Sequence, residues 1–397
     1  MEELAIFGGK PVREKKIFYG RQCIEQDDVD AVVATLTGDL ITCGPKVQAA
    51  EKLLCEVTGA KYAVLVSNGT AALHLAAMAA GFGPGDEVIV SSITFAASAN
   101  CIRYCGATPV FADIEDDTYN IDPESIKRLI TPRTKGIVAV DFTGQAVKLD
   151  EIRKICKDHG LLLIEDAAHA IGTKYKGQPV GSIADMTCFS FHPVKTVTCG
   201  EGGAITTNNE RLYRHLMRLR THGITRNQSE MAHPTDALWY NEQVELGFNY
   251  RLTDFQAALL ISQLGKLSRF SQKRKEIAAK YDAAFSQMPE LQVQREIPES
   301  DTTRHLYILR LNLDKLNCDR RQFFDALYAE NTCPQVHYLP VYWHSYYEKL
   351  GYEKGICMNA EAFYMSSMSI PLYPTLTDEE TDDVIRAVKK IVAYYRK

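Results

Sequence analysis

The sequence predicts an α/β protein, a mostly parallel central sheet flanked by helices with a smaller α+β domain following it. Three observations carry this. Segments such as KYAVLV at 61–66 and LLLIED at 161–166 are continuous apolar runs of strand length, the mark of strands covered on both faces. Such runs alternate with helical periodicity, which is the pattern of crossover-connected parallel strands. At 397 residues the chain also exceeds the roughly 250–300 residues at which single cores stop growing. Two domains are therefore expected, 1–266 with an N-terminal arm and the large domain, and 267–397 with the small one.

Taken in order, residues 25–37 (EQDDVDAVVATLT) have acids leading an apolar-periodic run and Gly38 as a stop, so they predict a helix. A loop over 40–45 and a helix over 46–59 follow. The strand at 61–66, the turn Ser67-Asn68-Gly69-Thr70 and a helix over 71–81 form a strand, turn and helix unit that recurs. Strands are expected at 87–91, 108–113, 135–140 and 161–166, with helices at 94–104, 123–130 and 149–159. Residues 189–191 and 204–207 predict two further strand runs around a glycine-rich turn. From 221 to 246 the periodicity fails, and a loop of that length is usually functional or interfacial. Helices are expected again at 253–267 and 272–287, then at 320–330, 360–367 and 378–395, with strands at 305–313 and 335–339.

Composition narrows the function classes. A formal charge of -5 leaves no basic footprint for nucleic acid or an anionic membrane, and no apolar run reaches the ~20 residues of a membrane span. The first residues lack the apolar core of a signal peptide. These features predict a cytoplasmic protein acting on small molecules. The eleven cysteines are scattered singly, which predicts reduced thiols and neither a disulfide framework nor a metal site.

The stretch FSFHPVKTVTCGEGGAITTN at 189–208 holds one lysine, Lys195, between apolar residues and the turn Gly200-Glu201-Gly202-Gly203. Desolvation lowers a lysine pKa and frees its amine as a nucleophile or Schiff-base former; the same lysine could equally be a solvated loop residue. Thr70 opens a helix after a glycine, a place that suits a phosphate or simple capping of its own helix. Asp166 closes the 161–166 strand at the sheet edge where open α/β folds place ligands. There it could hold Mg²⁺, cap a helix or pair with a cationic ring nitrogen. Phe95 after the 87–91 strand suits core packing or stacking on a flat ring, and His169 could face the same edge or be a bonded core histidine. Along the α/β domain come, in order, a phosphate-binding helix start at Thr70, the aromatic Phe95, the strand-end Asp166 and the partly desolvated Lys195, which together are the parts of a pyridoxal phosphate site.

The same residues resemble the fold-type I pyridoxal phosphate enzymes, specifically the DegT/DnrJ/EryC1/StrS sugar aminotransferase family. The likeness covers nearly the whole chain through GPKVQAAEKLL, VSNGTAALHLA, ITFAASAN, IEDAAHAIG, FSFHPVKTVTCGEGGAITTNN, LRTHGI and GFNYRLTDFQAALLISQL. Within the family FYGRQCI, SFHPVK, HLYIL and QVHYLPVYW are most similar to members acting in pseudaminic acid synthesis. The resemblance implies pyridoxal 5′-phosphate as cofactor, bound through Lys195, with Asp166 on the pyridine nitrogen, Phe95 stacked on the ring and His169 at its edge. Gly69, Thr70, Ala71 and Ser190 would hold the phosphate, and Asn249 would reach it from the neighbouring subunit of a homodimer. Tyr19, the loop of Asp39, Leu40, Ile41 and Thr42, and the pair His337 and Tyr338 would line the nucleotide-sugar site. The implied reaction takes the amino group of L-glutamate to a 4-keto-6-deoxy nucleotide sugar, UDP-linked in the pseudaminic acid branch. Amination of another dTDP-, GDP- or UDP-sugar at C3 or C4 is the competing expectation. A non-catalytic sensor of the same fold is disfavoured by the presence of both Lys195 and Asp166.

Overall fold

The computed structural model describes residues 2–397. Its centre is a seven-stranded sheet built from β2 (Tyr62–Val66), β3 (Glu87–Ser91), β4 (Thr108–Ala112), β5 (Thr134–Val140), β6 (Leu162–Asp166), β9 (Met186–Ser190) and β10 (Gly203–Thr207). The remaining early strands are a two-residue β1 (Ile17–Phe18) and the short hairpin β7 (Lys174–Tyr175) and β8 (Gln178–Pro179). The order across the sheet is β2-β10-β9-β6-β5-β3-β4. Every neighbouring pair is parallel except those of β10, which runs antiparallel to both β2 and β9. Residues 63–66, 137–140 and 163–166 are buried on both faces, as continuous apolar runs require.

Helices cover the two faces: α1 (Gln26–Leu36), α2 (Pro45–Thr58), α3 (Gly69–Ala79), α4 (Ala97–Tyr104), α5 (Pro123–Leu129), α6 (Leu149–His159), α7 (Glu210–Arg220) and α8 (Asp254–Leu264). Successive strand residues point to opposite faces, and two cores result. One takes Ala139, Leu163 and Phe189, the other Val138, Ile164 and Cys188. α9 (Leu267–Phe285) then leads into a three-stranded antiparallel sheet of Leu291–Val293, Tyr307–Leu311 and Ser367–Ile370. The helices Arg320–Ala329 and Asp378–Tyr395 share its core, as do Leu4 and Ile17 of the N-terminal arm. β1 pairs in parallel with Thr332–Cys333, so the arm is held by the C-terminal part of the chain.

Several elements differ from the sequence expectation. α3 begins at Gly69, two residues before the predicted start, because the Asn68 side chain accepts the Ala71 N–H at 2.8 Å and caps the helix there. α4 begins at Ala97, not 94, and α9 begins at Leu267, not 272. α7 falls where no element is predicted, although Asn209 caps it and Leu212, Leu216 and Leu219 mark its apolar side. Residues 335–339 are not a strand. Gln335 makes one bridge to Ser369, after which His337 and Tyr338 both turn to one cavity, which alternating strand side chains cannot do. The third strand of the small sheet is Ser367–Ile370; the predicted helix 360–367 ends at Ser366, and residues 368–370 carry no prediction.

Candidate active site

A parallel sheet aligns the carboxyl ends of its strands along one edge. Here β2 delivers Asn68, Gly69 and Thr70 to that edge, β3 delivers Thr94 and Phe95, β6 ends in Asp166 with His169 beyond it, and β9 ends in Ser190 with Lys195 beyond it. All of these residues line one cavity of about 1250 Å³. Tyr19 from the arm and His337 and Tyr338 from the C-terminal part close its side.

Lys195 opens onto the cavity while protein atoms enclose its amine, and burial lowers its pKa to about 8 against the pull of Asp166. Asp166 is buried. Its Oδ2 accepts the Ser98 hydroxyl at 2.6 Å and its Oδ1 accepts the Ala168 N–H at 3.2 Å. Burial raises its pKa, and Ser98, Ala168 and Lys195 oppose that rise. The site thus holds an amine that burial makes easier to deprotonate and a buried carboxyl whose charged form is favoured by hydrogen bonds from Ser98 and Ala168.

His169 is buried, and its Nε2 lies 3.3 Å from the Tyr338 hydroxyl. Its Nδ1 has no partner, and its ring lies 4.4 Å from the ring of His305. Burial, Lys195 and His337 hold its pKa well below the ordinary histidine value. His337 bonds the Ser369 hydroxyl through Nδ1 at 2.7 Å, and burial pushes its pKa down to about 3. Both rings are therefore neutral hydrogen-bonding groups across the physiological range. Tyr338 is pushed upward by burial and stays a phenol.

The geometry fits a phosphorylated pyridine. Asn68 takes the N–H of Ala71 with its side chain and that of Ala72 with its carbonyl, so the Gly69 and Thr70 amides at the helix start have no intrahelical acceptor. A Cβ on Gly69 would lie 2.9 Å from the Ser190 Cβ. The missing side chain keeps that anion-binding helix start open beside the Ser190 hydroxyl. Asp166 and Lys195 face the same space from the sheet edge.

Of the residues expected at the site, Tyr19, Gly69, Thr70, Ala71, Phe95, Asp166, His169, Ser190, Lys195, His337 and Tyr338 come together around this cavity. Asp39, Leu40, Ile41 and Thr42 do not; they are exposed, with Thr42 bridged to Thr253. Asn249 is also exposed and outside the cavity, bridged to Thr221. Phe95 is at the cavity wall with 62% of its surface exposed. Two residues escape the sequence reading, Ser98 beneath Asp166 and His305 against His169. Ser98 follows Thr94 in the ITFAASAN stretch after β3, but nothing local in the sequence points it at Asp166. His305 had no signal either, since only the fold brings it to His169.

The sequence pattern of the DegT/DnrJ/EryC1/StrS aminotransferase family matches residues 22–389. The chain is 39% identical over 360 residues to the UDP-4-amino-4,6-dideoxy-N-acetyl-beta-L-altrosamine transaminase of Campylobacter jejuni, covering 90% of this chain and 92% of that one. Helicobacter pylori PseC, an aminotransferase involved in the biosynthesis of pseudoaminic acid, superimposes with a TM-score of 0.89 at 32% identity, covering 96% of this chain and 100% of its own. Streptococcus pneumoniae Spr1654 in its PLP form superimposes with a TM-score of 0.88 at 31% identity, covering 96% and 98% to 99% of the two chains across its PLP and apo forms. Its PMP form gives 0.89.

Proposed function

From the premise that the chain belongs to the DegT/DnrJ/EryC1/StrS aminotransferase family and is a pyridoxal 5′-phosphate-dependent aminotransferase, we propose that it aminates a nucleotide sugar. The acceptor is a UDP-linked 4-keto-6-deoxy sugar of the pseudaminic acid type, the product its 4-amino sugar and the donor L-glutamate. The observation that carries this is the enclosed Lys195 amine, lowered to about 8 and set against Asp166 in one cavity. At about 1250 Å³ that cavity exceeds the ~300–1,000 Å³ typical of a single small-molecule site, which leaves room for a sugar nucleotide beside the cofactor.

When bound, pyridoxal phosphate supplies a carbonyl that captures amines and an electron sink for charge developing at the amino-bearing carbon. Gly69 and Thr70 at the α3 start, with Ser190, would hold its phosphate; Ala71 lines the same cavity, but its N–H is already taken by the Asn68 side chain. Phe95 would pack on the ring face, and Asp166 would accept the ring N–H, with the Ser98 hydroxyl favouring its charged form. Lys195 would hold the cofactor at rest, and its amine would serve as the base that takes a proton from the amino-bearing carbon and returns it. His169 hydrogen-bonds at the ring edge in its neutral form, anchored by Tyr338. Tyr19, His337 and Tyr338 meet the sugar.

Asn249 and the loop from Asp39 to Thr42 lie outside the cavity of their own chain, and in this reading Asn249 serves the site of a second copy in a homodimer. Exposed Leu238 at 94% and Trp239 at 82%, in the long segment preceding Asn249, support a covered surface there. Among the described residues no helix is long and apolar enough to cross a membrane, which agrees with work in the cytoplasm. The test is a panel of UDP-, dTDP- and GDP-linked 3-keto and 4-keto sugars assayed for glutamate-dependent amination. Turnover of the UDP-linked 4-keto-6-deoxy sugar well above the others is expected; preference for a dTDP or GDP sugar, or for C3, overturns the substrate assignment.

A further inference from the structure

Directly behind Asp166, on the other face of the sheet, the structure holds two acids that the chemistry above does not use. Glu165 is the penultimate residue of β6 and pairs with Ala139 of β5. Asp141 follows β5 at once, and its N–H donates to the Asp166 carbonyl at 3.1 Å. Both side chains are 0% exposed. Asp141 Oδ1 accepts the Val147 N–H at 2.9 Å, and Glu165 Oε2 accepts the Thr187 hydroxyl at 2.7 Å. The other two oxygens, Asp141 Oδ2 and Glu165 Oε1, have no donor from any other residue, while the two carboxyl groups stand within hydrogen-bonding reach of each other.

No lysine, arginine or histidine hydrogen-bonds to either acid among the described residues. The titratable group outside the pair that acts on Asp141 is Asp166 across the sheet, and Glu165 in turn pushes the Cys188 thiol on β9 upward. Two carboxylates enclosed together without a cation would repel in a medium that screens them poorly. Each acid keeps one buried oxygen that no other donor satisfies, and one proton held between the two carboxyl groups would satisfy both.

We propose that Asp141 and Glu165 share one proton between Oδ2 and Oε1, and that this singly charged pair is a positioning device, tying the ends of β5 and β6 together and setting negative charge behind Asp166. The positioning role rests on the reading above in which Asp166 meets the cofactor; the shared proton does not. Burial is also what pushes the Glu165 carboxyl up to about 7 and Asp141 further above its ordinary range.

The first measurement is the infrared carbonyl band of protonated carboxylic acid in cofactor-free protein at pH 6. It is expected in the wild type and lost in Glu165→Gln and in Asp141→Asn, because either amide donates to the carboxylate that remains and keeps the hydrogen bond without an acid proton. Two single variants guard against one that does not fold. A wild type without the band, or a band unchanged in both variants, overturns the proposal. The second measurement follows the visible absorbance of the loaded protein against pH. The double variant Asp141→Asn/Glu165→Gln carries no charge there, so its transition moves to lower pH, while each single variant keeps one charge and stays near the wild type. An unmoved transition in the double variant overturns the positioning role. Failure to take up pyridoxal phosphate at all would instead count against the cofactor reading and leave the infrared result standing.

Discussion

The Ser98 hydroxyl donates to Asp166 Oδ2 at 2.6 Å, and Thr94 stands 2.6 Å behind Ser98 in a chain of buried oxygens. That bond is the main force opposing the rise that burial imposes on the Asp166 carboxyl. A hydrogen bond to a charged group contributes about 1.5–3 kcal/mol, so Ser98→Ala is expected to lower kcat/KM for amination by roughly 10–100-fold while the protein stays folded. Steady-state kinetics with a melting curve check this, and unchanged kinetics would remove Ser98 from the site.

Lys195→Ala removes the amine that holds the cofactor and moves the proton. Borohydride reduction is expected to fix pyridoxal phosphate covalently to the wild type and not to the variant. Amination should fall by at least the roughly 10²–10⁴-fold that a positioned acid–base group contributes. Covalent retention in the variant, read by mass spectrometry, would reassign the lysine.

The pH dependence of the cofactor-free protein follows from the same amine. Its folded pKa is about 8 against an ordinary 10.5, so the folded state binds fewer protons than the unfolded chain between those values. Stability therefore rises as pH climbs through that window, by at most roughly 3 kcal/mol, and below about pH 8 the burial cost is carried in full. A Lys195→Met variant should lack this component, which melting temperatures between pH 7 and 10 will show. The rate of pyridoxal phosphate uptake should likewise rise with pH and level off above about 8.

Gly69→Ala tests the phosphate position. Its new Cβ would meet Ser190 at 2.9 Å, and overpacking of that kind costs about 1–3 kcal/mol. Cofactor affinity should drop roughly 5–100-fold by equilibrium dialysis. Gly83→Ala, with nothing within 4 Å of the added carbon, is the control and should bind normally.

Subunit sharing is tested by complementation. Lys195→Ala and Asn249→Ala are each expected to be weak or inactive alone. Mixed after mild dissociation, they should regain activity, because a heterodimer carries one site with both native residues. No recovery in a preparation shown to contain heterodimers would place Asn249 outside the shared site.

The architecture was largely legible in the chain because local physics and tertiary packing agree there. Continuous apolar runs at 87–91 and 161–166 become buried parallel strands in place, and the helix predicted at 149–159 is α6 at the same bounds. Where tertiary contacts decide, the reading fails. Residues 335–339 have strand-like composition, yet the fold turns His337 and Tyr338 into the cavity and fills the small sheet with Ser367–Ile370 instead. The leucines of α7 are spaced for a helix, but charged residues surround them and only packing against the sheet resolves the ambiguity.

The same division runs through the site. Sequence alone determined which residues stand at strand ends, since strand length and the turn after it are local properties; this placed Thr70, Asp166 and Lys195 in one chemical scheme. Only the tertiary structure decided their electrostatics. Ser98 reaches Asp166 across two strands, His305 meets His169 from the far part of the chain, and Asp141 meets Glu165 through strand register. A pKa depends on every group within several ångströms, and in a sheet those groups come from strands distant in sequence, so the chain order could name the reacting residues without saying how each is tuned.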